Sequence, residues 1–562
     1  MHVPRPALLA CSFAFFVIGC GGSSGDATTD DAGHDDTIAS DAPSGSDAPL
    51  GTDTAPGSDA PPGTDSAPTD GATPPPSGRS TLAQFMGVNA LITDPIDKLA
   101  AIGNVREYHD WQWCEGNGDA SYPGYPSNQN SFSLWGGYWD FDAYYQNLGA
   151  KGVFAFPVIQ GGVKFVADGK VPPVAAGKTA TDPAAYVAHA DHLFQYAARY
   201  GHTKVDDKLL KLASDQKRLT GLGTLGYIED FNEQDASWIL PGGRLLFNPD
   251  EYAAMASADY DADQGRLGKT LGVKNADPTM KMVMGGLAGE GNDIASWEKS
   301  IETYLDGIRT WATAHRGGSF PADVVNVHYY SFGPDPFGTA APRPAVSPED
   351  DKVRETMSLL KKYRDDKLPG KELWITEFGY DTDPLSRLHA PSLGKNSAMV
   401  VQGQWLVRYY LALLGAGFDR AFMFILDDPC DGTDCHVQFG TSGITTGKDK
   451  WDPKPGFYFL ATLRARLGAY AFHADVASGD PNVRILELVT PGAGAKTAYV
   501  VWAPTSKDTT VSGYTLSLGS ATKATLVTLT DKAMNGTETS LGVSSGKAKL
   551  DVTETPSIVL VE

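Results

Sequence analysis

The sequence predicts an α/β chain built as a (β/α)8 TIM barrel with a C-terminal antiparallel β-sandwich domain. Two observations carry that expectation. From residue 82 onward, eight short apolar runs alternate with helix-patterned segments, as buried parallel strands and their crossovers require. After residue 470 the texture changes to short segments of alternating polarity separated by Gly, Asp, Ser and Asn, the pattern of a small antiparallel sandwich. The chain has 562 residues, of which 41% are hydrophobic and 10% aromatic, enough for a large core and more than one compact module.

The order of segments begins with an export signal over residues 1–19. Arg5 supplies a positive start, and Ala7 to Ile18 form an apolar stretch too short to span a bilayer. It runs into Val17-Ile18-Gly19-Cys20, which resembles the lipobox of bacterial lipoproteins. That resemblance implies cleavage before Cys20, lipidation of its thiol, and a location at the bacterial outer membrane or cell surface. Residues 20–79 then read as the anchored cysteine and a disordered linker. The stretch 21–79 holds eleven Asp, no Glu and Arg79 as its one Lys or Arg, in a loose Asp-Ala-Pro-Gly repeat. It has too few large apolar side chains to offset the entropy of ordering, and proline with like-charge repulsion extends it.

The catalytic-sized unit spans residues 80–468. Its strand candidates are "FMGVNAL" (85–91), "NVREYH" (104–109), "GVFAFPVIQ" (152–160), "LGYIEDFNE" (225–233), "MKMVMGGLA" (280–288), "VVNVHYYS" (324–331), "ELWITEFGY" (372–380) and "RAFMFILDD" (420–428). Helix starts are marked by Asp182-Pro183, Asn248-Pro249 and Ser347-Pro348-Glu349-Asp350. Eight strands suggest closure into a barrel, with a doubly wound open sheet as the alternative. Residues 469–562 supply the sandwich through segments such as "RILELVT", "TAYVVWAP" and "SIVLVE".

A net charge of −22 argues against nucleic acid or an anionic membrane surface as partner, since both need a basic footprint. The membrane is expected to be met through the lipid anchor only. Of five cysteines, Cys11 is lost with the signal and Cys20 is lipidated. "PCDGTDC" makes a Cys430–Cys435 disulfide the expected pair, with Cys114 left free or competing for Cys430. No Cys/His spacing resembles a zinc site, and neither a metal nor another cofactor is expected.

In a parallel barrel the functional groups stand at the C-terminal ends of the strands. Glu233 closes the fourth strand candidate in "YIEDFNE", and Glu377 closes the seventh in "LWITEF". Two carboxyl groups facing one cleft at ~5–5.5 Å are what retaining glycoside hydrolysis needs, one as nucleophile and one as acid then base. The alternative for each glutamate is a buried, ion-paired strand terminus.

These residues resemble the clan of retaining β-glycoside hydrolases on (β/α)8 barrels, in which Asn-Glu ends strand four and a second glutamate ends strand seven. Here Asn232-Glu233 and Glu377 hold those places, and several families of that clan carry a β-sandwich after the barrel. The resemblance implies Glu233 as acid/base and Glu377 as nucleophile. It further implies that Asn232 bonds the sugar 2-hydroxyl, and that His328 and Tyr330 of "VHYY" serve the sugar or the two glutamates. Arg106 would favour an ionised Glu377 by charge, and Tyr329, of opposite strand parity, would pack. Two departures stand out. Gln234 replaces the usual proline, and "FMFILDD" lacks the tryptophan that often floors the central subsite. Phe424 or Trp451 would take its place, with Asp427 and Asp428 able to bind sugar hydroxyls.

The second βα loop is aromatic. Trp111, Trp113, Tyr122, Tyr125, Trp135 and Tyr138 offer flat faces for sugar rings or for packing the loop down. His109 and Trp111, at the end of the second strand and just beyond it, are expected to bind substrate. The function expected is that of an endo-acting β-glycanase of β-glucan or xylan type, cleaving a β-linked polysaccharide as a monomer. An exo-acting β-xylosidase or β-glucosidase and a non-catalytic glycan-binding lipoprotein are the alternatives.

Overall fold

The computed structural model describes residues 80–115, 129–133, 139–334, 341–430, 436–447, 449–492 and 494–562. The export signal, Cys20, the acidic linker, Cys435, and Tyr122, Tyr125, Trp135 and Tyr138 lie outside the described residues.

Eight parallel strands close into a barrel in sequence order. They are β1 (Met86–Ala90), β2 (Asn104–Asp110), β3 (Ala155–Gln160), β4 (Tyr227–Asp230), β5 (Lys281–Met284), β6 (Val324–His328), β7 (Glu372–Glu377) and β8 (Arg420–Met423). Closure is direct, with Met86 opposite Ala421 and Val88 opposite Met423. A main helix follows each strand, with a short extra turn of helix at Val273–Ala276 before β5: α1 (Ile96–Ile102), α2 (Phe141–Ala150), α3 (Val187–Tyr200), α4 (Pro249–Asp261), α5 (Ile294–Arg316), α6 (Val353–Lys367), α7 (Ala398–Ala416) and α8 (Pro455–Leu467). The open-sheet alternative is thereby excluded.

Local sequence explains the helix starts. Asp182 accepts the N–H of Ala184 at 2.9 Å, and Pro183 opens a 3-10 turn leading into α3. Asn248 and Glu251 form a reciprocal capping box around Pro249 at the start of α4. The Ser347 signal behaves differently: Ser347 Oγ accepts the N–H of Asp350 at 3.2 Å, but α6 starts only at Val353. Lys352 adopts a left-handed conformation (φ 57°), so the capped turn ends before the helix begins.

The barrel interior has two chemical layers. At the N-terminal end Phe156, Tyr227, Val283, Val324, Trp374 and Phe422 form an apolar plug. A Cβ on Gly87 would lie 2.2 Å from the Phe422 ring, so only glycine at this inward position lets that ring fill the barrel. Above the plug lie Asn89, Arg106, Glu229, Asn326 and Thr376, all fully buried and polar. The plug therefore lifts the chemistry toward the C-terminal mouth.

The C-terminal domain pairs a six-stranded antiparallel sheet with a three-stranded one. The strands are β9 (Ala471–Val476), β10 (Arg484–Val489), β11 (Thr497–Trp502), β12 (Thr510–Ser517), β13 (Ala524–Thr530), β14 (Ala533–Leu541), β15 (Val543–Ser544), β16 (Lys547–Thr553) and β17 (Ser557–Val561). The larger sheet runs β14-β13-β17-β11-β10-β9 and the smaller β12-β16-β15. Ile485, Val501, Leu516, Leu550 and Val559 fill the space between them. The opposite face of the larger sheet contributes Leu486, Leu488, Val500, Val527 and Ile558 to the core that also contains the barrel helices. The sandwich is thus continuous with the barrel's outer packing, and its larger sheet is covered on both faces. Among the described residues no helix is long and apolar enough to cross a membrane.

One buried polar contact ties the two parts. Arg408 of α7 donates through Nε to both Glu349 oxygens at 3.1 and 3.0 Å, Trp502 Nε1 of β11 donates to Glu349 at 2.8 Å, and Arg408 Nη1 reaches the Thr505 carbonyl at 3.0 Å. Glu349→Ala strands a fully buried guanidinium, so it is expected to lower unfolding free energy by about 3–5 kcal/mol. Urea denaturation of wild type and variant checks this, and a change within experimental error would show the contact to be dispensable.

Candidate active site

The site is built around one guanidinium. Arg106 points inward from β2 and is fully buried. Its Nε and Nη2 grip Glu229 of β4 at 2.6 and 2.9 Å. Nη1 donates to Asn89 and to Glu377 Oε1, both at 2.8 Å, and Nη2 also donates to Asn232 Oδ1 at 2.7 Å. All five N–H groups find acceptors, as a buried arginine requires. Glu229 is completed by Asn326 Nδ2 at 3.0 Å and the Gly286 N–H at 3.2 Å.

Glu377 is far more heavily supported than Glu233, whose side chain is hydrogen-bonded only to His328 among the described residues. Besides Arg106, the Tyr108 hydroxyl donates to Oε1 and Tyr330 donates to Oε2 at 2.8 Å. A regular strand would turn Glu377 away from Thr376, because neighbours alternate faces. The β6–β7 register slips between Val327 and His328, so that His328 pairs with Glu377 rather than Thr376. This bulge lets both Thr376 and Glu377 face the cleft. Burial would raise the Glu377 carboxyl, but the charges of His328 and Arg106 and the hydrogen bonds from Tyr108 and Tyr330 outweigh it and hold it below its usual range.

Glu233 reaches the cleft by a different device. β4 ends at Asp230, and Phe231 and Glu233 both take positive φ, 78° and 46°. Left-handed backbone at two non-glycine residues is strained and persists only where surroundings hold it. Here the turn is tied to the loop after β5: the Glu233 N–H donates to the Gly286 carbonyl at 3.1 Å, and Gln234 Nε2 to the Gly285 carbonyl at 2.8 Å. Asp235 accepts the N–H groups of Ala288 and Gly289 at 2.9 and 2.7 Å. The Phe231 ring turns outward onto Phe247, centroids 5.0 Å apart, while Asn232 and Glu233 turn inward. Gly286 is required, since a Cβ there would lie 2.0 Å from His328 Nε2.

His328 lies between the two acids. Its Nδ1 is 3.1 Å from Glu233 Oε1 and 3.6 Å from Glu377 Oε2, and Nε2 is 2.9 Å from Thr376 Oγ1. Ligand-type atoms of Glu233, His328 and Glu377 all lie within 4.8 Å of one another. Burial, followed by the charge of Glu377, raises the Glu233 carboxyl against the opposing pull of His328 and Arg106. Glu233 is the more open of the pair, its side chain 17% exposed against 7% for Glu377. The two carboxyl groups are thus biased in opposite directions, one toward the proton and one toward charge.

The structure brings Glu233, Glu377, Asn232, Arg106, His328 and Tyr330 together, and adds Tyr108, Glu229, Asn89, Asn326 and Thr376. Two expectations need correction. His109 faces outward from β2 and is fully buried beneath the helices, its Nε2 3.2 Å from Cys114 Sγ and its ring 4.5 Å from that of Phe141. Trp111 is also fully buried, donating to Glu115 at 2.7 Å and packing on His189 at 5.0 Å. Neither can stack on a sugar. Asp427 is buried beyond β8 with its backbone bridged to Thr445, and Asp428 is ion-paired to Lys454 at 2.6 Å. In place of a tryptophan, Phe424 packs edge-on against Tyr108 (6.2 Å) and Phe439 (5.7 Å), and Phe439 meets Tyr330 at 4.8 Å. Tyr329 packs on Trp297 at 4.6 Å. Cys430 is disulfide-bonded, and Cys114 is a free, buried thiol.

Neither a protein-family model nor a curated protein matches the chain. Solved structures do resemble it in fold. A family 39 glycoside hydrolase from the gut symbiont Bacteroides cellulosilyticus WH2 superposes with a TM-score of 0.55 at 16% identity, covering 85% of this chain and 80% of the other. A Paenibacillus polymyxa xyloglucanase of glycoside hydrolase family 44, solved with xyloglucan, superposes with a TM-score of 0.50 at 14% identity, covering 86% and 97%.

The raised Glu233 carboxyl has a measurable consequence for stability. A folded-state value above the unfolded one contributes stability that is fully present at acid pH and is lost as pH rises through the folded value. Glu233→Gln removes the group that must ionise. The variant is expected to melt at a higher temperature than wild type at pH 8, with the gap closing at pH 4. Parallel melting curves at both pH values would contradict the raised assignment.

Proposed function

We propose that the chain is a retaining glycoside hydrolase acting on a β-linked polysaccharide. The observation that carries this reading is the Glu233–Glu377 pair: nearby oxygens within 4.8 Å, with opposite biases in protonation. Closely approaching carboxyl oxygens fit double displacement, in which the two carboxyl groups stand ~5–5.5 Å apart, better than inversion, which needs ~6.5–9.5 Å. The barrel fold shared with glycoside hydrolases of families 39 and 44 supports the same reading.

In the first step a Glu377 oxygen attacks the anomeric carbon as the bond to the leaving oxygen breaks, and Glu233 gives its proton to that oxygen. In the second step Glu233 takes a proton from water, whose oxygen attacks the same carbon and releases the Glu377 carboxylate. Arg106, Tyr108 and Tyr330 keep Glu377 ionised before attack and receive it again afterwards. Because Arg106 holds Asn232 by its oxygen, the amide's NH2 end is turned away from the guanidinium and donates to the sugar 2-hydroxyl. That bond strengthens as positive charge builds at the anomeric carbon. His328 stands beside both acids and holds Glu233 in place at hydrogen-bond distance.

The substrate is identified by screening β-glucan, xylan, mannan, galactan and xyloglucan. With a responsive substrate, proton NMR of the anomeric region during the first minutes should show the β-anomer first. Glu233→Gln should retain activity on an aryl glycoside with a good leaving group, whereas Glu377→Gln should lose activity on every substrate. Initial release of the α-anomer, or an equal response of both variants to leaving-group quality, would overturn the assignment.

The enzyme is proposed to work at the bacterial surface, held by a lipid on Cys20 and spaced from it by the acidic tract of residues 21–79. The sequence Val17-Ile18-Gly19-Cys20 followed by that tract supports this location. Cell fractionation checks it: the wild type is expected with the membranes and Cys20→Ala in the soluble fraction, and unchanged membrane association of the variant would refute the anchor.

A further inference from the structure

A second cluster of titratable groups lies back to back with the active site. Strand alternation sends Glu229 into the barrel and its neighbour Asp230 outward, beneath α3 and α4. There Asp230 meets His189 of α3 and Asp259 of α4. His189 Nδ1 is 2.8 Å from Asp259 Oδ2 and 3.9 Å from Asp230 Oδ1. One ligand-type atom from each of the three residues lies within 4.8 Å of the others. All three are at most 1% exposed.

The contrast with Glu229 is informative. Glu229 receives four hydrogen bonds, two of them from a guanidinium. Both oxygens of Asp230, Oδ1 of Asp259 and Nε2 of His189 receive no hydrogen bond from an N–H or hydroxyl donor among the described residues, and the two carboxyl groups approach each other closely enough to share one proton. Buried carboxylates without partners are costly, and buried polar atoms are nearly always satisfied. Here unsatisfied carboxyl oxygens from a strand and a helix meet beside Nδ1 of His189.

We propose that His189, Asp230 and Asp259 form a structural site for one divalent first-row transition ion of the zinc or manganese type. A 2+ ion neutralises two carboxylates, and the imidazole favours a transition metal over calcium or magnesium. The orphaned oxygens allow either carboxylate to bind through one atom or two. The role is structural because the residues are sealed from solvent and face away from Glu233 and Glu377. The ion would clamp α3 and α4 to the last residue of β4, immediately before the strained Phe231–Glu233 turn. The competing arrangement is a single proton shared between the two aspartates beside a neutral histidine.

The two arrangements differ in metal content and in the effect of one substitution. Untagged full-length protein from cultures supplied with zinc and manganese is analysed by elemental mass spectrometry, then melted in excess EDTA and in excess Zn2+ or Mn2+. About one ion per chain is expected, with the melting temperature several degrees lower in EDTA, since an ion that binds only the folded state stabilises it. Asp259→Asn should carry no ion and lose the dependence on EDTA. His189→Gln is read in the same way should Asp259→Asn not fold. Metal-free protein with identical melting in EDTA and zinc or manganese would overturn the proposal. So would a variant that keeps its full ion, which would place the metal elsewhere, or an Asp259→Asn protein that melts above wild type, as expected of a shared proton.

Discussion

A guanidinium buried inside a barrel is the constraint on which the rest of the mouth depends. Arg106 has no contact with water, so every N–H must be satisfied by protein, and its charge must be balanced nearby. Glu229 provides the paired geometry and the compensating charge, and Asn89, Asn232 and Glu377 take the remaining donor directions. Four strand ends are thereby held in one network. The apolar plug beneath makes the network rigid, because Trp374, Phe156 and Phe422 leave the polar layer no room to sink. Preorganised dipoles and charges of this kind act on a reaction without having to reorganise during it.

A perfectly regular barrel would not place these side chains together. Alternation allows one inward residue in two, yet Asn232 and Glu233 are consecutive, as are Thr376 and Glu377. The first pair is delivered by left-handed backbone at Phe231 and Glu233, the second by the slip in the β6–β7 register. Both irregularities are supported by neighbours that add no chemistry themselves. Gly285 and Gly286 leave space where a Cβ would strike Gln234 or His328, and their carbonyls receive the bonds that hold the turn. Between these two devices, backbone strain is confined to the Phe231–Glu233 turn, while the β7 bulge places Glu377 by register alone.

The eight strands were legible because buried parallel strands need continuous apolar runs, and every such run became a strand. Their ends were less so. The run 225–233 contains only four residues of β4, Tyr227–Asp230, because the backbone leaves the sheet before Asn232 and Glu233. Inward parity on β2 carried a usable signal for Tyr108, two residues beyond Arg106, and Glu229 could have been sought as the partner a buried arginine demands. His109 and Trp111 were misread for the same reason in reverse. Parity on β2 alternates, so His109 had to face the helices once Arg106 faced the axis, and an aromatic after a strand is as able to seal a loop as to stack on sugar. The bulge in β7 and the positive φ values had no local signature, since neither depends on glycine.

β4 carries acids on both its faces, and the two are treated differently. Glu229 is neutralised by a cation reaching from another strand, which leaves a folded-state charge that the barrel can tolerate. Asp230, one residue on, faces helices whose nearest titratable groups are a histidine and a second aspartate. Nothing in the barrel's own chemistry calls for an acid there: the outer face of a strand is served equally well by valine or isoleucine, as at Ile228. Two helices nevertheless bring ligating side chains to that point, and they do so at the residue where β4 gives way to the strained turn. A turn holding Glu233 at positive φ must be anchored on both sides. The loop after β5 anchors it toward the cleft through Gly285, Gly286 and Asp235, and the Asp230 cluster is placed to anchor it toward the helices. The position of Glu233 then depends on packing outside the barrel as much as on the network inside it.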